Sequence, residues 1–220
     1  MSTEPRIYVA CLASYNAGKL HGEWIDCEGL DADDIYQEID KILRSSPCPN
    51  VIKRDYSCEA CSHDWTEQVD RDDSPRSCPE CGDGAVKASK PFSSSEEWAI
   101  HDTEGFGTMV SEHSSIDEIV EFLELIEEFD HDLVLAASEL AVKVYNLRDV
   151  MESCMCRADS RSDLAYDLLC DNGPMLLGED FAQCMDSVWC YFDHNAWLDG
   201  PEGPYVVCLD GEYFAFDTCS

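Results

Sequence analysis

Ser115-Ile116-Asp117-Glu118-Ile119-Val120-Glu121-Phe122-Leu123-Glu124-Leu125-Ile126-Glu127-Glu128-Phe129 is the stretch whose periodicity decides the architecture. At about 100° per residue, Asp117, Glu121, Glu124 and Glu128 fall on one narrow stripe, with Glu118 and Glu127 to either side. Ile116, Ile119, Val120, Phe122, Leu123, Ile126 and Phe129 fall on the other half, and only Leu125 lies among the acids. That division predicts a helix that packs one face and displays charge on the other. Ser115 and Glu118 have the spacing of a capping box, which marks its start.

Toward the C-terminus, Leu133, Ala137, Leu140, Ala141 and Val144 predict a second amphipathic helix over Asp132 to Leu147. A shorter helix follows from Asp163 to Cys170, with Asp171-Asn172-Gly173-Pro174 as its stop. Beyond Val188 to Phe192 and the turn Gly200-Pro201-Glu202-Gly203-Pro204, Tyr205 to Leu209 and Tyr213 to Phe216 flank Asp210-Gly211 as a hairpin would.

Toward the N-terminus, the apolar run Ile7 to Leu12, the turn-prone Asn16-Ala17-Gly18 and a run around Trp24 and Ile25 predict two strands with an extended connection. Asp31 to Arg44 carries Ile35, Ile39, Ile42 and Leu43 at helical spacing, acids first and Lys41 and Arg44 last, and Pro47 and Pro49 end it. Glu96 to Asp102, reached through a serine-rich linker at Ser93 to Ser95, is expected to be a third strand of the same sheet. Whatever lies between then interrupts one domain. The expected fold class is α+β: an elongated multi-domain chain, small antiparallel sheets flanking a helical acidic middle, plus an inserted ribbon. Its expected parts are an N-terminal α+β domain (1–49 and 94–110), the insertion (50–93), the acidic helical domain (111–158) and a C-terminal α+β domain (159–220).

The 220 residues are 45% hydrophobic, enough for packed cores despite 47 acidic against 14 basic side chains and a formal charge of −33. Such self-repulsion is costly in a compact body, and a basic groove is a better partner for it than nucleic acid, whose binding depends on Lys and Arg. Between Lys90 and Lys143 there are 14 acids and no Lys or Arg, and 12 more acids follow Arg161 with no basic residue. The segment Val51 to Pro91 holds six basic and nine acidic residues, so it contributes −3 and the remainder −30. An ordinary solvated face mixes both signs, and adaptation to high salt would not spare one segment. Ile116 to Phe129 spans roughly 21 Å as helix, so its six carboxylates give one charge per about 3.5 Å, against one phosphate per about 3.4 Å along a DNA strand. No charged segment followed by an apolar stretch opens the sequence and no run approaches a membrane span, which predicts a protein of the cytoplasm.

Cys58-x-x-Cys61 and Cys78-x-x-Cys81, 16 residues apart, have the spacing of a four-cysteine zinc ribbon. Four thiolates complete a tetrahedral Zn²⁺ and leave no open position, so one structural zinc per chain is expected. Two disulfides are the competing reading, and His63 is an alternative ligand that four cysteines make unnecessary. Pro79 and Gly82 suit a tight knuckle, and Trp65 offers the module an apolar anchor. Cys154, Cys156, Cys170, Cys184 and Cys190 are too irregularly spaced for a second site and are expected as buried free thiols.

Ile7-Tyr8-Val9-Ala10-Cys11-Leu12, Tyr15 to Asp26 and Glu96-Glu97-Trp98-Ala99-Ile100-His101-Asp102-Thr103-Glu104-Gly105-Phe106 resemble the ArdA antirestriction family, and Tyr191-Phe192-Asp193-His194-Asn195-Ala196 looks like that family's C-terminal motif. The resemblance implies an elongated, three-domain α+β protein, usually a homodimer. It also implies that surface carboxylates imitate the phosphates of bent DNA and block type I restriction-modification enzymes by occupancy. The partner-binding residues expected here are Asp117, Glu118, Glu121, Glu124, Glu127 and Glu128. The ribbon between Pro49 and Ser93 is a departure from the family's usual pattern.

Enzyme signatures are missing: there is no Gly-x-Ser-x-Gly, phosphate-binding loop or His-Glu-x-x-His. His21 and His101 fit structural roles, and Gly105-Phe106-Gly107 is weak as a nucleotide site. The remaining alternative is an acidic zinc-ribbon adaptor or chaperone for basic, nucleic-acid-associated proteins. Lys53, Arg54, Arg71, Arg76, Lys87 and Lys90 are the ribbon's only basic content.

Overall fold

The computed structural model describes residues 4–69, 77–82, 85–177, 187, 189–201 and 203–217. The chain divides into two compact units, one of Pro5–Thr103 with Ser111–His113 and one of Glu104–Val110 with Ser114–Ser220 and the N-terminal Met1–Glu4.

In the first unit, β1 (Arg6–Cys11) lies between β2 (Gly22–Asp26) and β7 (Trp98–Glu104). β1 and β2 are antiparallel, with Tyr8 opposite Trp24. Their connection is not an extended loop: Leu12–Asn16 winds into a short helix, α1, and Gly18 follows its cap at φ 73°. Close strand approach requires Gly22, where a Cβ would stand 2.4 Å from the Val9 carbonyl oxygen. Helix α2 (Ala32–Arg44) is capped by Asp31, whose carboxylate accepts the Asp34 amide, and buries Ile35, Ile39, Ile42 and Leu43 against β1 and β2.

Asn50 and Ser94 stand side by side, the Asn50 amide donating to the Ser94 carbonyl at 3.0 Å, so the segment between them leaves and re-enters at one point. Its central strand β3 (Val51–Cys58) pairs on one edge with β4 (Asp64–Gln68). On the other edge it pairs with β5 (Val86–Ala88) and β6 (Phe92–Ser94), all antiparallel. The serines expected as a linker are therefore partly a strand, and Ser94 and Ser95 are fully buried. Their small side chains fit under the C-terminal end of α2, where the Ser95 amide donates to the Leu43 carbonyl and its hydroxyl to that of Cys48. A run of three serines reads as linker; backbone pairing removes the cost of burying it.

In the second unit, α3 (Ile116–Glu128) has both halves of its capping box at Ser115 and Glu118, and Phe122 meets Phe106 at 5.3 Å between ring centroids. The following helix is shorter than its periodicity predicts. α4 spans His131–Ser138, a 3-10 turn Val144–Asn146 follows, and α5 covers Leu147–Glu152. Ser138 turns its hydroxyl back onto the Leu135 carbonyl at 2.6 Å and its carbonyl accepts from Thr108 at 2.8 Å, the local competition that makes serine a poor helix interior. Gly107, at φ 57°, approaches Ser138 so closely that a Cβ would meet its hydroxyl at 2.4 Å. Gly105-Phe106-Gly107 is thus a packing turn around a buried phenylalanine.

The terminal sheet has β10 (Glu212–Phe216) between β8 (Cys154–Ala158) and β9 (Tyr205–Leu209). Asp210 and Gly211 lie at φ 51° and 93°, the doubly left-handed turn that a two-residue hairpin loop requires. Helix α6 (Arg161–Leu177) covers the sheet with Leu164, Ala165 and Leu168 beside Ala158, Ala215 and Leu198 of the last helix, α7 (His194–Leu198). It runs through Asp171-Asn172-Gly173-Pro174, where the sequence predicts a stop. A proline inside a helix forfeits one backbone hydrogen bond and crowds the preceding turn, so what carries the helix across it is the buried apolar face of Leu164, Ala165 and Leu168 on its N-terminal side. No helix of the described residues is long and apolar enough to cross a membrane.

Candidate metal centre and acidic helix face

At the far end of β3, two knuckles of the same shape face one another. In one, the Ser62 amide donates to the Cys58 carbonyl at 3.0 Å; in the other, the Gly82 amide donates to that of Cys78 at 2.9 Å. Each knuckle closes on a left-handed residue, Ser62 at φ 60° and Gly82 at φ 72°. Gly82 suited this geometry by sequence, whereas Ser62, which bears the strain of a Cβ there, carried no signal. The Sγ atoms of Cys58 and Cys81 are 3.6 Å apart and those of Cys61 and Cys78 3.7 Å, and all four lie within 4.8 Å of one another. Ligands about 2.3 Å from a tetrahedral Zn²⁺ are about 3.8 Å apart, so the cluster has room for one such ion. Cys58 and Cys78 are buried while Cys61 and Cys81 face solvent.

The thiols are electrostatically linked. The Cys61 backbone amide, helped by that of Ala60 and by the thiols of Cys81 and Cys61, outweighs burial and brings Cys58 down to about 7. Cys61 goes the other way, to about 12: the His63 amide lowers it, but burial and the sulfurs of Cys58, Cys81 and Cys78 outweigh that. Four thiols this close cannot all ionise unless a cation compensates them, as ligation requires.

His63 is not among the clustered residues; its ring stacks on Trp65 at 5.5 Å, and Tyr56 stacks on Trp65 at 5.3 Å. Trp65 anchors this small sheet as an apolar filling between two rings. Of the other cysteines, Cys170 and Cys190 are exposed and Cys154 and Cys156 half-buried, not enclosed in a core. Strand and helix surfaces alternate in and out regardless of the thiol's apolarity. Cys184 lies outside the described residues. His21 is structural, its Nε2 2.8 Å from the Ile42 carbonyl at the end of α2. His101 is exposed and meets Tyr15 edge-on at 5.4 Å.

The second feature is the outer face of α3. Asp117, Glu121, Glu124 and Glu127 are exposed. They have no ion-pair or side-chain hydrogen-bond partner among the described residues. The other two acids of the predicted stripe are engaged. Glu118 accepts the Ser115 amide at 2.9 Å. Glu128 receives Arg148 in a two-pronged pair at 2.9 and 2.5 Å, which holds its carboxyl below the usual carboxylate range. Leu125, placed among the acids by periodicity, is buried. Helix α3 packs against the Val144–Asn146 turn as well as α4, so its covered arc is wider than one neighbour would make it.

The few cations of this unit are largely tied up. From Glu104 onward the Lys and Arg residues are Lys143, Arg148, Arg157 and Arg161. Arg157 pairs with Asp130 at 2.9 Å and Glu212 at 2.6 Å, and Arg161 with Asp199 at 2.6 Å.

Comparison with known proteins agrees with the sequence blocks. No curated protein matches the chain. The family model described as "Antirestriction protein (ArdA)" matches residues 7–200, a span that contains the first sheet, the cysteine ribbon and the acidic helix. With the match extending over most of its length, the chain belongs to the ArdA antirestriction protein family.

Proposed function

We propose that this protein inhibits a type I restriction-modification enzyme by lying in its DNA-binding groove as a stoichiometric decoy, without catalysis. The observation that carries the reading is the row of exposed carboxylates Asp117, Glu121, Glu124 and Glu127 on one face of α3, unpaired among the described residues, in a chain of formal charge −33. From Asp117 to Glu127 the row covers about 15 Å of helix axis, roughly one charge per 5 Å between neighbours. That is sparser than the full six-residue stripe, because Glu118 serves the cap and Glu128 is neutralised by Arg148. One-sidedness, more than charge density, supports the mimicry. Lys and Arg of the enzyme's DNA channel would meet this face, with long-range attraction speeding encounter. In this reading the protein is a cytoplasmic homodimer that does not itself bind nucleic acid. The chain is organised as an N-terminal domain, an inserted ribbon, an acidic helical domain and a C-terminal domain.

Cys58, Cys61, Cys78 and Cys81 hold one zinc per chain in the same reading. The ion would fix the ribbon's end and supply no reaction, since four protein sulfurs fill its coordination.

The test is inhibition of a purified type I enzyme at varied DNA and salt concentrations. Occupancy predicts competition with DNA that weakens as salt rises. Equal inhibition of unrelated DNA-binding proteins would instead favour an acidic adaptor or chaperone for basic proteins. Elemental analysis should return one zinc per chain, and a fully folded metal-free protein would refute the metal assignment.

A further inference from the structure

We infer that metal occupancy of the ribbon is transmitted to helix α2, and so to the N-terminal sheet, through the guanidinium of Arg44. The inference rests on the reading that the four cysteines hold zinc.

Arg44 is the last residue of α2, where a cation complements the helix's C-terminal carbonyls. Its Nη1 and Nη2 donate to the two carboxylate oxygens of Asp55 at 3.0 and 2.6 Å. Its Nε bonds Asp40 one turn back, and its Cζ lies over the Phe92 ring, 4.1 Å from the centroid. Asp55 is the meeting point of the ribbon. It lies on β3 opposite Thr66 of β4, whose hydroxyl donates to it at 2.8 Å. Its backbone is bonded in both directions to Ser89, just past β5, and Phe92 belongs to β6. One guanidinium therefore joins α2 to the whole four-stranded sheet. Lys53, two residues along β3 on the same face, adds a contact to Asp40 at 3.4 Å.

The metal site is on the same strand. Cys58 is three residues beyond Asp55, so the register that presents Asp55 to Arg44 also carries Cys58 to within 3.6 Å of Cys81. A sheet module of roughly 40 residues cannot normally bury enough apolar surface to hold itself together without a metal or similar staple. If the ion leaves, the cysteine knuckles separate and β3 loses the constraint that orients Asp55. On its other side α2 is packed against β1 and β2, so it is the wall shared by both sheets. Linkage then requires reciprocity: whatever metal does for α2, the Arg44–Asp55 contact does for metal.

The experiment uses the full-length protein. Zinc affinity is measured by competition with a chromophoric chelator for wild type, Arg44→Gln, Asp55→Asn and the double variant. Each single change is expected to weaken zinc binding about tenfold, and the double far less than their product, since both singles remove the Arg44–Asp55 contact. Arg44→Lys, which keeps charge but not the two-pronged geometry, should recover part of the loss and serves if Arg44→Gln does not fold. Arg148→Gln, in the other unit, should leave zinc affinity unchanged. Conversely, stripping zinc should speed amide exchange in residues 32–44 at least about tenfold and leave residues 116–128 unaffected. Unchanged zinc affinity in the single variants, or an α2 equally protected without zinc, overturns the coupling while one bound zinc upholds the metal site. A wild-type protein that takes up no zinc overturns both.

Discussion

Single atoms decide several features of this chain. Two glycines in one short stretch show the range. Gly18 has open space around a would-be Cβ and needs only its positive φ, whereas at Gly22 the same atom would strike the Val9 backbone at 2.4 Å. Gly18→Ala should therefore cost about 1 kcal/mol of backbone strain. Gly22→Ala should cost about 3 kcal/mol or more, because β1 and β2 must separate to admit it. Urea denaturation of the two variants checks the order, and equal losses would contradict the close approach. Among the described residues, Glu128 differs from the other exposed acids of α3 in having a cation of its own. Sequence placed it in the centre of the acidic stripe, but Arg148 occupies both of its oxygens, so its charge is offset before any partner arrives.

Helix α3 separates its folding face from its charged face. Its fold comes from the buried side, Ile116, Ile119, Phe122, Leu123 and Leu125, and from the Ser115 cap, so the outer carboxylates can be changed without unmaking the helix. Individually they lie on an exposed rim and should matter little. Replacing Asp117, Glu121, Glu124 and Glu127 together by Lys should preserve the far-ultraviolet circular dichroism and lower affinity for the restriction enzyme by roughly 100-fold or more. Undiminished inhibition by that variant would show that this helix is not the contact surface. Four lysines at these spacings repel one another as the carboxylates do, by a few tenths of a kcal/mol per pair, so the stability of the helix should change little. Loss of inhibition by simple unfolding is thus distinguishable.

The molecule as a whole carries its acidity unevenly, −3 on the segment Val51 to Pro91 and −30 elsewhere. Self-repulsion of that size opposes compaction and is screened by salt. Its melting temperature should therefore rise by several degrees between about 0.01 and 0.5 M NaCl, a shift read by calorimetry; an unchanged or lower value would mean that in-chain pairs already balance the field. What the amino-acid order reveals of this molecule depends on the range of the interactions involved. Helical periodicity, capping and knuckle spacing act over a few residues, so α2, α3, the Asp210-Gly211 hairpin and the candidate ligands Cys58, Cys61, Cys78 and Cys81 could be read directly from the amino-acid order. The family, too, was legible in its motifs. Other features needed the folded chain, because they depend on neighbours distant in sequence: Ser94 buried as a strand beneath α2, Leu125 covered on the acidic side, Arg148 closing on Glu128, and Arg44 meeting Asp55. A local pattern specifies which face a residue takes; only the packed structure specifies what stands opposite it.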